Sequence, residues 1–223
     1  MMKRLLILIL ALITLAGCSN KKAVYVEPEV NSVFYEIYVG SFYDSDGDGM
    51  GDLKGVRQKL DYIQYDLGAT GVWLMPINPS PTYHKYDVVD YYDIYPQYGT
   101  LEDFKNLVEE CHARDIHLII DFVFNHTSSM HPWFLEAVSY LEGLKEGEEP
   151  DLEECPYVGY YNFTREYNGS NLYHQAGISD WYYECVFWDG MPDLNLGNEM
   201  VRSEIERIAE FWLDLGVDGF RLD

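Results

Sequence analysis

One pattern occurs twice in the chain: DLGATGVWL at residues 66–74 and DLGVDGFRL at residues 214–222. Each reads as a helix end, a glycine suited to the left-handed capping conformation, a short turn and an apolar strand. Repetition of this step predicts strands that alternate with helices and pair in parallel, because short connections leave little other topology open. The flanking periodicity agrees. VFYEIYVGSF (33–42) predicts a first strand, and Leu53, Val56, Leu60, Ile63 and Leu67 mark one apolar helix face that ends at Gly68. GVWLMP (71–76) predicts a second strand stopped by Pro76. Thr100 and Asp103 have the spacing of a capping box, and Leu101, Phe104, Leu107, Val108 and Cys111 follow as a second helix face. IHLIIDFVF (116–124) predicts a third strand. Val201, Ile205, Ile208, Trp212 and Leu215 form a third helix face ended by Gly216, and VDGFRLD (217–223) begins a fourth strand. Such apolar strands belong to a parallel sheet covered on both faces, either doubly wound or the start of a (β/α) barrel. Residues 127–197 interrupt the alternation with an acidic run, EGLKEGEEPDLEE, and many aromatics, as expected of a small inserted subdomain.

The amino terminus reads differently. Lys3 and Arg4 precede the apolar run Leu5 to Ala16, which has the length of a signal-peptide core and is short for a bilayer span. LAGC at 15–18 follows at once and resembles the bacterial lipoprotein cleavage box, which implies that Cys18 is lipidated and that the protein is exported and anchored to the cell membrane. Three other cysteines remain, Cys111, Cys155 and Cys185, so one internal bridge is possible, with Cys155 and Cys185 in the same region.

Charge narrows the partners. A formal net charge of −23 disfavours nucleic acid and anionic ligands and leaves a neutral ligand as the better fit. Twenty tyrosines and five tryptophans exceed what a small core requires, and flat rings with a polar edge suit the faces of sugars.

Polar residues gather where the strands finish: Tyr43 and Asp44, Asn78, then Asp121, Asn125 and His126, and finally Arg221 and Asp223. Parallel strands bring those ends together at the carboxyl edge of the sheet, where ligands bind. Arg221 and Asp223, two apart on a strand, point to one side, and a guanidinium beside a carboxylate holds it ionised. The stretch DSDGDGMGD (44–52) crowds aspartates on alternate positions, which is stable when a cation sits among them. Asp44, Asp46, Asp48, the Met50 carbonyl and Asp52 take positions one, three, five, seven and nine of a calcium loop, but Gly55 stands where an EF-hand has its bidentate glutamate.

Four segments appear together in a known order: YHKYD (83–87), DFVFNH (121–126), MPDLN (191–195) and GFRLD (219–223). With them the chain resembles the α-amylase family of retaining glycoside hydrolases, family 13, from about Ser32 onward. The resemblance implies a (β/α)8 TIM barrel of which the first four strands are present, with a B domain inserted after the third. Together with the amino-terminal reading, it divides the chain into a signal peptide (1–17), a tether (18–31), the first half of the catalytic barrel (32–126), the B domain (127–197) and the barrel's continuation (198–223). It further implies Asp223 as the nucleophile that forms a covalent glycosyl intermediate, with Arg221 orienting it. His126 and His84 are implied as sugar-binding histidines, Tyr86 as the platform beneath the sugar, and Asp121 as the aspartate that holds the pocket together. The aspartate loop resembles the structural calcium loop after the first strand in several members of the family.

The expected activity is hydrolysis of α-1,4-glucans such as starch and maltodextrins by a protein that is monomeric when complete. Because MPDLN lies between the QPDLN of oligo-1,6-glucosidase-like members and the MPKLN of neopullulanase-like ones, an α-1,6 or neopullulanase-type preference is the alternative. A non-catalytic glucan-binding lipoprotein on the same scaffold is another, and a calcium-dependent docking module a more distant one. The acid/base glutamate of the family has no counterpart in residues 1–223, so the chain reads as an amino-terminal fragment that is inactive alone.

Overall fold

The computed structural model describes residues 32–167 and 169–223. The expected signal peptide, tether and Cys18 lie outside the described residues. Four strands form a parallel sheet: β1 (Phe34–Ile37), β2 (Gly71–Leu74), β3 (His117–Phe122) and, last in the chain, Gly219–Leu222, in the spatial order in which they occur in the sequence. This is the opening half of a (β/α)8 barrel. The helices are α1 (Val39–Phe42), α2 (Leu53–Gln58), α3 (Leu101–His112), α4 (Pro132–Gly143), which belongs to the insertion, and α5 (Glu199–Asp214).

The register explains the two faces. Val72, Leu74, Leu118, Ile120 and Phe122 point one way and are buried in a core that Phe104, Leu107 and Cys111 of α3 and Ile208 and Trp212 of α5 complete. Trp73, Ile119, Asp121 and Arg221 lie on the opposite face, because side chains alternate along a strand. Both copies of the repeated step are present: Gly68 (φ 68°) and Gly216 (φ 102°) adopt the left-handed conformation at the helix ends. The capping box at Thr100 is complete, with the hydroxyl accepting from Asp103 N–H and the Asp103 carboxylate accepting from Thr100 N–H.

Two elements differ from expectation. The first strand stops at Ile37 and the chain turns into α1, where Ser41 N–H donates to the Tyr38 carbonyl and the Gly40 carbonyl accepts from Gly51 N–H. The first bond closes the α1 turn and the second ties it to the aspartate loop, so neither joins a ladder. The first helix face also breaks: α2 is followed by a π-helical turn at Tyr62–Asp66, in which Leu67 N–H reaches the Tyr62 carbonyl. The wider turn rotates the face, so Leu53, Val56, Leu60 and Ile63 are fully buried while Leu67 is left 41% exposed.

The insertion has its own core. A 3-10 turn (Pro156–Tyr160) and a three-stranded antiparallel sheet of β4 (Phe163–Thr164), β5 (Tyr173–Gln175) and β6 (Tyr182–Glu184), with β6 central, pack with α4 around Phe134, Leu141, Tyr161 and Tyr183. The strand after α5, Gly219–Leu222, is thus β7. Cys155 and Cys185 both enter this second core, as buried free thiols and not as a bridge, and Cys111 is a third free thiol in the first core. Each behaves as a small apolar group; burial pushes the Cys185 thiol up to about 11.

Candidate active site

Asp121 is the centre of the polar cluster at the strand ends. It sits on β3 directly opposite Arg221 of β7 in the parallel register, with its side chain fully buried. Three groups donate to it, and a fourth joins through one of them. Arg221 Nη1 donates to Oδ1 at 3.1 Å, while the Tyr86 hydroxyl at 2.9 Å and Trp73 Nε1 at 3.2 Å both donate to Oδ2. The fourth is Asp223, which Arg221 Nη1 also engages in a short ion pair. One guanidinium thus ties two carboxylates from neighbouring strand ends, and the indole of Trp73 lies under it at 5.5 Å. Burial pushes the Asp121 carboxyl above the ordinary range, against the pull of the Tyr86 hydroxyl and Arg221. Burial, followed by the charge of Asp121, raises the Tyr86 phenol far beyond its usual range, so it remains a donor.

The loop after β2 supplies Tyr86 and His84. His84 Nδ1 accepts from Tyr86 N–H at 3.1 Å and meets Thr82 Oγ1 at 3.2 Å; its Nε2 carries no hydrogen bond among the described residues. Lys85, between them, has φ 66° and is 3% exposed, its ammonium donating to the Thr82 carbonyl at 2.6 Å and lying 3.6 Å from the Tyr95 ring centre. A left-handed backbone at a side-chain-bearing residue is strained, and strain of this kind persists only where the surroundings hold it.

His126, 1% exposed, follows β3. Its Nε2 lies 3.1 Å from the Tyr86 carbonyl, which can only accept, so Nε2 carries the proton; Nδ1 faces the Asn125 amide nitrogen at 3.3 Å. Burial lowers its pKa and keeps the ring neutral. Both nitrogens are already engaged within the protein, and a sugar hydroxyl would have to share or replace one of these bonds. The MPDLN segment runs alongside: His126 and Asp193 form an isolated bridge, Leu194 N–H donates to the Asn125 carbonyl at 2.8 Å, and Asn125 Nδ2 donates to Asp193 Oδ1 at 3.3 Å. Burial pushes the Asp193 carboxyl up to about 6. Phe187, 62% exposed, stands 5.1 Å from the His126 ring and places an insertion residue at the rim.

In the aspartate loop, Asp44, Asp46 and Asp48 bring one carboxylate oxygen each within 4.8 Å of one another. Asp44 accepts from the N–H groups of Asp46, Gly47 and Gly49, and the last two of these, Gly49 first, hold its pKa down. Three anionic oxygens with Asp46 and Asp48 exposed are a hard-cation donor set. Asp52, expected among them, stands apart: it is the N-cap of α2, its oxygens accepting from Gly55 N–H at 2.7 Å and Ser45 N–H at 2.9 Å. Met50 N–H donates to Asp48 Oδ1, and its side chain packs against the main core.

Of the residues singled out in the sequence, the structure therefore joins Asp121, Arg221, Asp223, Tyr86, His84 and His126 into one cluster and keeps the aspartate loop separate from it. Sequence reasoning missed Trp73. Its signal was present, since Val72 and Leu74 on either side are aliphatic and Trp73 must face the other way; a tryptophan in an apolar run reads as core unless its indole N–H has a partner to find.

A parallel barrel sheet with charged groups converging at the carboxyl ends of its strands defines a (β/α)8-barrel protein with its site in the usual position for that architecture. The chain belongs to the α-amylase family: the model of the α-amylase catalytic domain matches residues 36–223. A prokaryotic membrane lipoprotein lipid attachment site matches residues 2–19. Alpha-amylase 3 of Dictyoglomus thermophilum is 47% identical over 224 residues, covering 99% of this chain and 41% of that protein. An oligo-1,6-glucosidase of Parageobacillus thermoglucosidasius is 41% identical, over 86% of this chain and 34% of that protein. Among solved structures, Amy13B of Eubacterium rectale superimposes with a TM-score of 0.82 at 58% identity, over 85% of this chain and 36% of that one. The chain spans well under half the length of these relatives.

Proposed function

We propose that the chain is the nucleophile-bearing part of a retaining glycoside hydrolase that acts on α-1,4-glucans. The observation that carries this reading is the shared guanidinium: Arg221 holds Asp223 at a strand end while Asp121, locked by Tyr86 and Trp73, fixes Arg221 in turn. A carboxylate so positioned is suited to attack an anomeric carbon and form a glycosyl ester. Tyr86 offers a ring for the sugar above the hydroxyl it gives to Asp121, and His84 Nε2 is available for a sugar hydroxyl. Retention needs a second carboxyl about 5–5.5 Å from the nucleophile. Asp121, with both oxygens occupied, is not free to serve as that group.

The experiment uses the full-length protein. Hydrolysis of amylose or maltoheptaose with retention of anomeric configuration, followed by nuclear magnetic resonance, supports the reading, and Asp223→Asn should lower kcat by at least about a thousandfold. Inversion, or an Asp223→Asn variant as active as the wild type, sinks it. The oligo-1,6-glucosidase relative and the intermediate MPDLN sequence support a second reading with α-1,6 preference; faster cleavage of isomaltose than of maltoheptaose would favour it.

Two features complete the proposal. Asp44, Asp46 and Asp48 would hold a structural calcium ion, whose two positive charges would offset most of the negative charge that three carboxylates crowd into one loop, away from the reacting groups. Cys18 would carry the lipid that anchors the exported protein to the membrane, a reading that the attachment-site match supports; mass spectrometry of the mature protein with and without Cys18→Ser tests it.

A further inference from the structure

Two unfavourable features meet at Lys85, in the turn that carries His84 and Tyr86. Its backbone is left-handed at φ 66°, a conformation that glycine adopts freely and side-chain-bearing residues rarely do, and its charged side chain is buried. An ammonium taken out of water destabilises a fold unless new partners replace its hydration. Here the partners are the Thr82 carbonyl, which accepts from Nζ at 2.6 Å, and the face of the Tyr95 ring, 3.6 Å away. That ring is itself anchored: Tyr95 N–H donates to the Ile77 carbonyl at 2.7 Å, and the buried Tyr98 ring packs edge-on against it at 5.2 Å. Glycine at this position would relieve the backbone and methionine would fill the space without a charge, so stability alone does not account for a lysine.

The clamp closes residues 82–85 into a tight turn. Beneath it, buried Asp87 accepts from Ser80 Oγ at 2.6 Å and from Thr82 Oγ1, and Thr82 Oγ1 also lies 3.2 Å from His84 Nδ1. Because His84 Nδ1 accepts Tyr86 N–H at 3.1 Å, the proton of the neutral ring sits on Nε2, the nitrogen with no partner among the described residues. Tyr86 is held at its other two polar groups as well, its carbonyl 3.1 Å from His126 Nε2 and its hydroxyl 2.9 Å from Asp121 Oδ2. The direction in which the chain leaves Lys85 therefore decides where the His84 donor and the Tyr86 ring stand relative to Asp121.

We propose that Lys85 is a positioning residue for turnover: its ammonium, clamped between the Thr82 carbonyl and the Tyr95 ring, holds the left-handed turn that aims His84 and Tyr86, and it does so without touching substrate. The inference rests on the glycosidase reading above. Lysine supplies what neither glycine nor methionine can, a cation that grips one end of the turn from the other.

Two variants of the full-length protein test it, each assayed well below its melting temperature on maltoheptaose and on p-nitrophenyl α-glucoside. Lys85→Met keeps the length of the side chain and loses the charge. Lys85→Gly loses both and leaves the backbone unstrained, so it decides the matter alone if Lys85→Met does not fold. Each should lower kcat by roughly 10- to 30-fold on both substrates, with KM changed less than about 3-fold, as expected when reacting groups are misplaced and not lost. Wild-type kcat in Lys85→Gly would mean that the ammonium is dispensable. A lowered melting temperature with kcat intact would mean that Lys85 serves the fold only, and a loss confined to KM that it shapes binding and not turnover; each of these overturns the proposal while the wild type stays active. A wild-type protein inert towards both substrates overturns the glycosidase reading itself, and the role of Lys85 with it.

Discussion

Arg221 and Asp121 face each other across adjacent parallel strands, paired in register, with Nη1 3.1 Å from Oδ1. The fold, not the local sequence, creates this contact: a hundred positions separate the two residues, and the alternation of each strand places both on the face that the helices do not cover. The same nitrogen reaches Asp223, so the guanidinium works as a fixed bridge. Lysine would supply the charge without the planar fork. Arg221→Lys in the full-length protein should lower kcat on maltoheptaose by about a hundredfold. A loss confined to KM would show that Arg221 grips substrate and does not orient Asp223.

Trp73 gives a narrower test. Trp73→Phe keeps most of the ring and removes the N–H that donates to Asp121 Oδ2. Stability should fall by about 1 kcal/mol, and the Tyr86 hydroxyl, left as the donor to that oxygen, should hold Asp121 in place. Urea unfolding of both proteins measures the first, and kcat, expected to fall less than in Arg221→Lys, the second.

His131 makes acid stability measurable at one residue. It is 4% exposed, its ring 4.2 Å from Trp133 and 5.7 Å from Tyr91, and it caps α4 by accepting Trp133 N–H at Nδ1. Burial pulls its pKa down to about 3 from an ordinary 6.5. Between these values the unfolded chain binds a proton that the folded one refuses, so this part of the stability is complete above pH 6.5 and falls as pH drops towards 3. His131→Asn keeps a capping acceptor and removes the titration, and its loss of stability between pH 7 and 4.5 should be smaller than the wild type's by about 2–3 kcal/mol. Parallel pH dependence in the two proteins would mean that His131 ionises freely in the folded state.

The aspartate loop predicts a calcium-dependent melting temperature. With calcium at about a hundred times its Kd the folded state gains about 2.7 kcal/mol, and chelation should remove it. Asp46→Asn combined with Asp48→Asn should leave the protein insensitive to both calcium and chelator. Identical melting of the wild type with and without chelator would leave the loop as a solvated acidic turn.

The alternation of elements was legible because it is a local matter. Glycines at 68 and 216, the Thr100 capping box and the apolar periods of α3 and α5 are each written in a few consecutive residues, and all appear in the structure. The early end of β1 and the π-helical turn after α2 were not legible, since both are decided by where backbone hydrogen bonds go once the aspartate loop and the core are in place. The pairing of Cys155 with Cys185 was open in the sequence, and packing settled it as two separate apolar thiols.

For the site, the sequence by itself determined the residue types and their positions at strand ends: Asp121, Arg221 and Asp223 follow from period-two strands that terminate in polar residues. Only the tertiary structure decided which groups share a partner. It gave Asp121 the indole of Trp73, spent both nitrogens of His126 on Tyr86 and Asn125, and drew Asp52 out of the acidic cluster to cap α2. The physical reason is that a strand fixes the side on which a residue points, whereas the partner a buried donor finds depends on which distant segments the fold brings within about 3 Å.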